Sequence, residues 1–235
     1  MHEWLTFSLI LLGIWFVIFL VRPFVRREMF WVSLFTMPIG LTEPLFVPAY
    51  WNPPSLFDLA AKTGFDGESL IFSFAIGGII AVLYEAIFKV KHLRMTEKEM
   101  HSRQHRFHRL AIISPALVFV PLYVLTQMNP IYSVSIAMLV GGIATLFCRP
   151  DLKRKIAAGG LLFTFLYFLF FLSVNLVSPS FINAWNFSAI FGILIVGVPL
   201  EELVFAFTFG MMWTSIYEHI MWYRLKEHLI KNLSP

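Results

Sequence analysis

A chain of 235 residues that is 58% apolar and only 14% charged, with a mean hydropathy of +0.75, is too greasy for a soluble globule, where about 45–50% apolar is usual. Its length suits one integral membrane domain of roughly six to eight spans. The net charge of +4 invites a nucleic-acid reading, but the way that charge is distributed excludes it.

Apolar runs predict seven spans in chain order: residues 4–21, 30–48, 70–88, 110–127, 131–148, 156–177 and 187 to about 222. The start of the chain lacks the basic segment of a signal peptide, and no small-residue cleavage site follows, so the first run is expected to be retained. Basic residues gather at Arg22, Arg26 and Arg27, in the 89–109 loop, at Arg149, Lys153, Arg154 and Lys155, and at Arg224, Lys226 and Lys231. These groups hold 17 of the 18 Lys and Arg, and all fall on one side if seven spans alternate; the other side carries Lys62. Positive residues stay inside, which predicts a multi-pass cell-membrane protein with its N-terminus out and its C-terminus cytoplasmic. The single Cys148 leaves no internal disulfide.

Two stretches of the chain look alike. Arg22-Pro23 and Arg149-Pro150 each end a span, Trp51-Asn52 and Trp185-Asn186 each precede one, and Leu83-Tyr84-Glu85-Ala86 aligns with Leu200-Glu201-Glu202-Leu203. The expected fold is therefore all-α and integral to the membrane, with about seven transmembrane helices in two parallel three-helix repeats. The first repeat covers residues 1–109, including the basic cytoplasmic loop, and the second covers 131–235. A linking helix at 110–130 joins them. The seventh run is 36 residues long, roughly 54 Å as a helix against a core of about 30 Å, so a kink at Pro199 is expected. Met95-Thr96-Glu97-Lys98-Glu99 reads as a short surface helix.

Five acids, Glu43, Glu85, Glu201, Glu202 and Glu218, fall inside apolar runs that hold no Lys or Arg. Each is expected to lack a basic partner at depth, where a charge costs on the order of 2.5–3.5 kcal/mol on insertion scales. Glu218, near the inner end, reads as interfacial. Desolvation and a neighbouring carboxylate both favour the neutral acid, so at least one of Glu201 and Glu202 is expected to carry a proton, as a general acid must. Phe205 and Phe209 lie three and seven residues after Glu202, on its helical face. Aromatic faces stabilise a cation by about 0.5–2 kcal/mol each, so acid beside aromatic suits protonation of an alkene. His101, His105 and His108 sit amid so much basic charge that they read as a lipid-headgroup surface and not a metal site. There is no P-loop, no GxGxxG, no Asp-rich diphosphate motif, and no intramembrane lysine for a Schiff base.

Trp185-Asn186-Phe187, then Gly197-Val198-Pro199-Leu200-Glu201-Glu202-Leu203-Val204-Phe205, then Ile216-Tyr217-Glu218, together resemble the signature of the small integral-membrane lycopene cyclases. The resemblance implies two homologous three-helix units, no cofactor and no redox step, with the Pro-x-Glu-Glu motif supplying the acid that protonates the terminal double bond of lycopene. The first unit departs from the motif, with Leu83-Tyr84-Glu85-Ala86 in place of Pro-Leu-Glu-Glu. Glu43 stands where the family tends to carry an acid before the tryptophan, and Asn175 takes the comparable place in the second unit.

The expected catalytic residues are thus Glu201, Glu202, Glu43 and Glu85. The expected substrate contacts are Pro199, Phe205, Phe209, Tyr84, Trp51, Asn52, Asn175, Trp185 and Asn186, with no metal and no cofactor. Expected partners are membrane lipid and a hydrophobic polyisoprenoid, with no nucleic acid and with a homo-oligomer left open. Cyclisation of a linear carotenoid end group is the favoured activity. Hydration of the same cation, a non-catalytic carotenoid-binding or lipid-binding protein, and a proton-coupled carrier are the alternatives.

Overall fold

The computed structural model describes residues 3–226; residues 1–2 and 227–235, Lys231 and the expected cytoplasmic C-terminus among them, lie outside that range. The chain runs α1 (Glu3–Val21), α2 (Arg26–Thr36), α3 (Leu59–Thr63), α4 (Glu68–Phe88), β1 (Lys91–Arg94), α5 (Glu97–Met100), α6 (His108–Leu125), α7 (Pro130–Cys148) and α8 (Lys153–Val177). It closes with β2 (Leu194–Ile195), β3 (Val198–Pro199), α9 (Leu200–Trp213), α10 (Ile216–Met221) and β4 (Tyr223–Lys226). Among the described residues, five helical stretches are long and apolar enough to cross a bilayer: Glu3–Val21, Glu68–Phe88, Arg103–Leu125, Pro130–Cys148 and Pro150–Val177. They correspond to the first, third, fourth, fifth and sixth predicted spans. The protein is an all-α membrane protein, with four short strands among the described residues.

The other two predicted spans take a different form. The run at 30–48 begins as α2 but tightens into a 3-10 helix at Met37–Leu45, because Pro38 and Pro44 each remove an amide donor from the α ladder. The run from 187 to 222 is not one kinked helix. Val196 (φ 50°) and Gly197 (φ 83°) form a two-residue turn between β2 and β3, and both positive dihedrals are what a hairpin of that length requires. Pro199 then biases Val198 towards extended backbone and stands at the N-cap of α9. Pro199 therefore starts a helix; it does not bend one, and Glu201 and Glu202 lie in the first turn of α9. The predicted surface helix is present as α5, closed by a capping box between Thr96 and Glu99.

Small residues let the central helices approach one another, as membrane helices without a hydrophobic drive between them require. A Cβ on Gly78 of α4 would collide with the Ser33 hydroxyl of α2 and the Trp15 indole of α1, and one on Gly77 would collide with Thr36. Trp15 Nε1 donates to Ser33 Oγ at 2.8 Å across the same contact. Between α8 and α9, Gly210 lies against Gly160, where an added Cβ would meet the Gly160 Cα at 2.9 Å. The helices carry large apolar side chains outward, including Phe16 and Val17 on α1, Val124 and Leu125 on α6, and Leu161 and Phe165 on α8.

The two ends of the molecule are tied differently. At one end Trp51 bridges Trp185, with Asn52 N donating to Ala184 O at 2.7 Å and Asn186 N donating to Tyr50 O at 2.8 Å. At the other, β1 pairs antiparallel with β4, matching Lys91 to Lys226 and Arg94 to Tyr223. A leucine at Gly78 is expected to destabilise the fold by about 1–3 kcal/mol through overpacking. Thermal unfolding in detergent checks this, with Gly13→Leu, where an added Cβ meets nothing within 4 Å, expected to stay near wild type.

Candidate active site

A cavity of about 180 Å³ lies between the 3-10 segment after α2 and helices α4, α7, α8 and α9. Its walls are largely aromatic: Trp4, Phe46, Trp51, Phe72, Phe163, Tyr167, Phe171, Phe205 and Phe209. Two carboxyl groups open onto it, Glu202 from α9 and Glu43 from the 3-10 segment, and both residues are buried. Phe205 and Phe209, one turn apart on α9, stack at 5.4 Å with an interplanar angle of 8°. They extend the wall along the helix from Glu202, as the spacing predicts.

Glu202 is held by neutral donors. Its Oε1 accepts from the Tyr50 hydroxyl at 2.7 Å and from Trp185 Nε1 at 2.8 Å, and the Tyr167 hydroxyl faces the same carboxyl group. As a first-turn residue it also sits near the free amides and positive end of α9. Glu43 is held from the loop ahead of α4 and the start of that helix, where the Ser69 hydroxyl and the Asp66 carboxyl group face its own carboxyl group. Its Oε2 accepts from Asp66 N at 3.3 Å, and its Oε1 is buried without a hydrogen-bond partner among the described residues. Asp66 turns back to accept from Ser69 N at 2.7 Å, and burial holds its own carboxyl group above the usual carboxylate range.

Glu201 points elsewhere. Its Oε1 accepts from the Tyr132 hydroxyl at 2.8 Å and from Phe191 N at 2.9 Å, so it ties α9 to α7 and to the segment ahead of β2. Asn175 ties α8 to the turn between β2 and β3, with Nδ2 donating to the Gly197 carbonyl at 2.7 Å. Trp51 lines the cavity and meets Trp4 edge-on at 4.9 Å. Trp185 reaches Glu202 through its indole N–H. Asn52 contributes its backbone while its side chain is exposed, and Asn186 Nδ2 bonds the Pro48 and Ala49 carbonyls at 3.4 Å each. Asn52, Asn175, Asn186 and Pro199 thus shape the surrounding chain and do not line the cavity. Sequence reasoning missed Tyr50, Tyr132 and Tyr167. The available signal was a tyrosine in an aromatic-rich apolar setting, because a buried hydroxyl needs a partner.

Glu85 and Tyr84 are not in this site. Tyr84 packs on Phe88 at 4.7 Å, and Glu85 joins a second buried cluster with Glu28, Glu218, Lys155 and His92. Lys155 Nζ lies 2.6 Å from Glu85, 2.6 Å from Glu218 and 3.5 Å from Glu28. His92 Nε2, from β1, lies 2.6 Å from Glu218. The expectation that intramembrane acids lack a basic partner therefore fails for Glu85 and Glu218. Lys155 looks interfacial in sequence, but the turn Pro150–Leu152 carries it inward and it is 0% exposed. Glu218, expected at the interface, is also fully buried. The alignment of Glu85 with Glu202 misses this, because each of Glu85 and Glu218 stands four residues before a left-handed helix-ending residue, Lys89 (φ 54°) and Trp222 (φ 58°). Arg149 closes the same end: it pairs with Asp151 at 2.7 Å and donates to the carbonyls of Glu218 and Tyr223.

These features define a class, an all-helical membrane protein with an aromatic cavity that holds two carboxyl groups. The sequence profile of the lycopene cyclase family matches residues 2–61 and 129–220, so the chain belongs to the lycopene cyclase family. Membership makes it an enzyme that acts on carotenoids, in carotenoid biosynthesis. The match takes in Glu43, Glu201 and Glu202 but leaves out Glu85 and His92. No curated protein and no solved structure matches the chain.

Removing one partner from a buried ion cluster leaves uncompensated charge, at about 3–5 kcal/mol. Lys155→Met is expected to lose about that much stability, strand Glu85 and Glu218, and lower the yield of folded protein. Chemical denaturation in detergent measures the loss; a wild-type midpoint would show that the cluster does not stabilise the fold.

Proposed function

We propose that the protein cyclises the end group of a linear, lycopene-like carotenoid by acid–base chemistry without redox change, with Glu202 as the acid and Glu43 as the base. The observation that carries this reading is that Glu202 and Glu43 open onto one aromatic cavity, while Glu201 and Glu85 are engaged elsewhere. The protein sits in the membrane as seven crossings in two parallel three-helix units, counting the broken segments at 30–48 and 187–222 as one crossing each. Its N-terminus is outside, its C-terminus cytoplasmic, and the substrate enters from lipid.

Glu202 gives its proton to the terminal C=C, which leaves a tertiary cation. An internal C=C attacks that cation, forming the ring bond and moving the positive charge into the ring. Glu43 then removes a neighbouring proton to leave a cyclohexene, so the product is an isomer of the substrate. The groups around Glu202 favour the forward transfer, since Tyr50 O–H, Trp185 N–H and the first-turn amides of α9 all stabilise the carboxylate that remains. The faces of Phe205 and Phe209 stabilise the cation by about 0.5–2 kcal/mol each. Glu43 Oε1, buried and without a donor among the described residues, is the oxygen free to take the proton.

Expressed in a lycopene-accumulating host, Glu202→Gln and Glu43→Gln are each expected to cut cyclic product by about 10²–10⁴-fold, the usual worth of a general acid or base. Glu201→Gln and Glu85→Gln are expected to keep far more, since glutamine still accepts from Tyr132 and Phe191 and the second cluster is remote from the cavity. Chromatography with mass detection reads the pigments and separates a cyclised isomer from a product that has gained one water. A Glu202→Gln protein that inserts normally and makes wild-type amounts of cyclic carotenoid would end the assignment.

A further inference from the structure

The histidines of the basic loop acquire a new partner in the fold. Cys148, the last residue of α7, places Sγ 3.5 Å from His105 Nδ1 and 3.6 Å from His108 Nδ1. The three ligand atoms lie within 4.8 Å of one another. A zinc ion bound by thiolate at about 2.3 Å and imidazole at about 2.0–2.1 Å in tetrahedral geometry would separate sulfur from nitrogen by roughly 3.5 Å. Both observed S···N distances match that edge.

The surroundings restrict the ligands as a metal site requires. Cys148 and His108 are buried and His105 partly so. The Trp222 indole stacks on the His108 ring at 3.8 Å and 17° and meets His105 edge-on at 5.2 Å. His219 of α10 stands edge-on to His108 at 4.4 Å. Its Nδ1 faces Thr145 Oγ1 at 3.5 Å, and its Nε2 is buried without a partner among the described residues. The adjacent Arg149 is neutralised by Asp151, so a cation here does not face an unpaired guanidinium.

We propose that His105, His108 and Cys148 form a binding site for a zinc-like divalent ion that clasps the basic loop to the end of α7, with water in the fourth position. Thiolate with imidazole selects a borderline-soft ion over magnesium or calcium. His105 and His108 lie in the 62–128 stretch that the family match leaves out, whereas Cys148 lies within the matched residues 129–220. The site is separate from the carboxyl-lined cavity.

Cobalt(II), titrated into the purified, EDTA-treated full chain in detergent, tests the site. The expected result is saturation at about one equivalent, with visible ligand-field bands of a tetrahedral ion and a near-ultraviolet thiolate-to-cobalt charge-transfer band, both removed by zinc. Cys148→Ser should lose the charge-transfer band, His105→Ala and His108→Ala should each weaken binding at least tenfold, and His101→Ala, an exposed histidine outside the cluster, should change nothing. A wild-type titration that shows no thiolate band, or one indistinguishable from Cys148→Ser, would overturn the proposal. Because the wild-type spectrum decides, a variant that fails to fold does not blur the outcome.

Discussion

Burying carboxyl groups among hydrocarbon side chains is the constraint on which the rest of this structure depends. Each such group must be neutralised, hydrogen-bonded or both, or the fold gives up several kcal/mol. Glu28, Glu43, Glu85, Glu201, Glu202 and Glu218 are all buried, and the architecture is largely the set of ways in which they are answered. Glycines at 77, 78, 160 and 210 bring the helices close enough for side chains on different helices to reach them.

The answers differ between the two ends of the molecule. Around Lys155, three acids share one ammonium and one imidazole, a charged arrangement whose members stabilise one another as a unit and leave little reactivity to spare. Around Glu202 the donors are phenol and indole, which orient a carboxyl group without cancelling a charge. The same residue type thus meets charged partners at one end and neutral donors at the other, and the difference lies in the partner.

How much of this was legible in the residues depended on distance along the chain. Phe205 and Phe209 were placed beside Glu202 correctly because one helix fixes their relation, and the capping box at Thr96 and Glu99 is likewise local. The five long spans followed from apolar runs. Tyr50 lies 152 residues from Glu202 and Lys155 lies 63 from Glu218, and no local pattern ties such residues together. The long run at 187–222 failed for another reason. Apolar content alone hid the stops at Gly197 and Pro199, whose backbone preferences outweigh hydrophobicity at a turn.

Taken alone, the sequence determined that the chain lives in a membrane, that its helices pack around buried acids, and that Pro199-Leu200-Glu201-Glu202 is the motif to examine, since composition, periodicity and motif are properties of neighbouring residues. Only the tertiary structure decided which glutamates share a cavity, which are locked to Lys155, and that Cys148 comes to rest between His105 and His108. Those outcomes hang on contacts between helices far apart in sequence. Their energies come from who ends up next to whom.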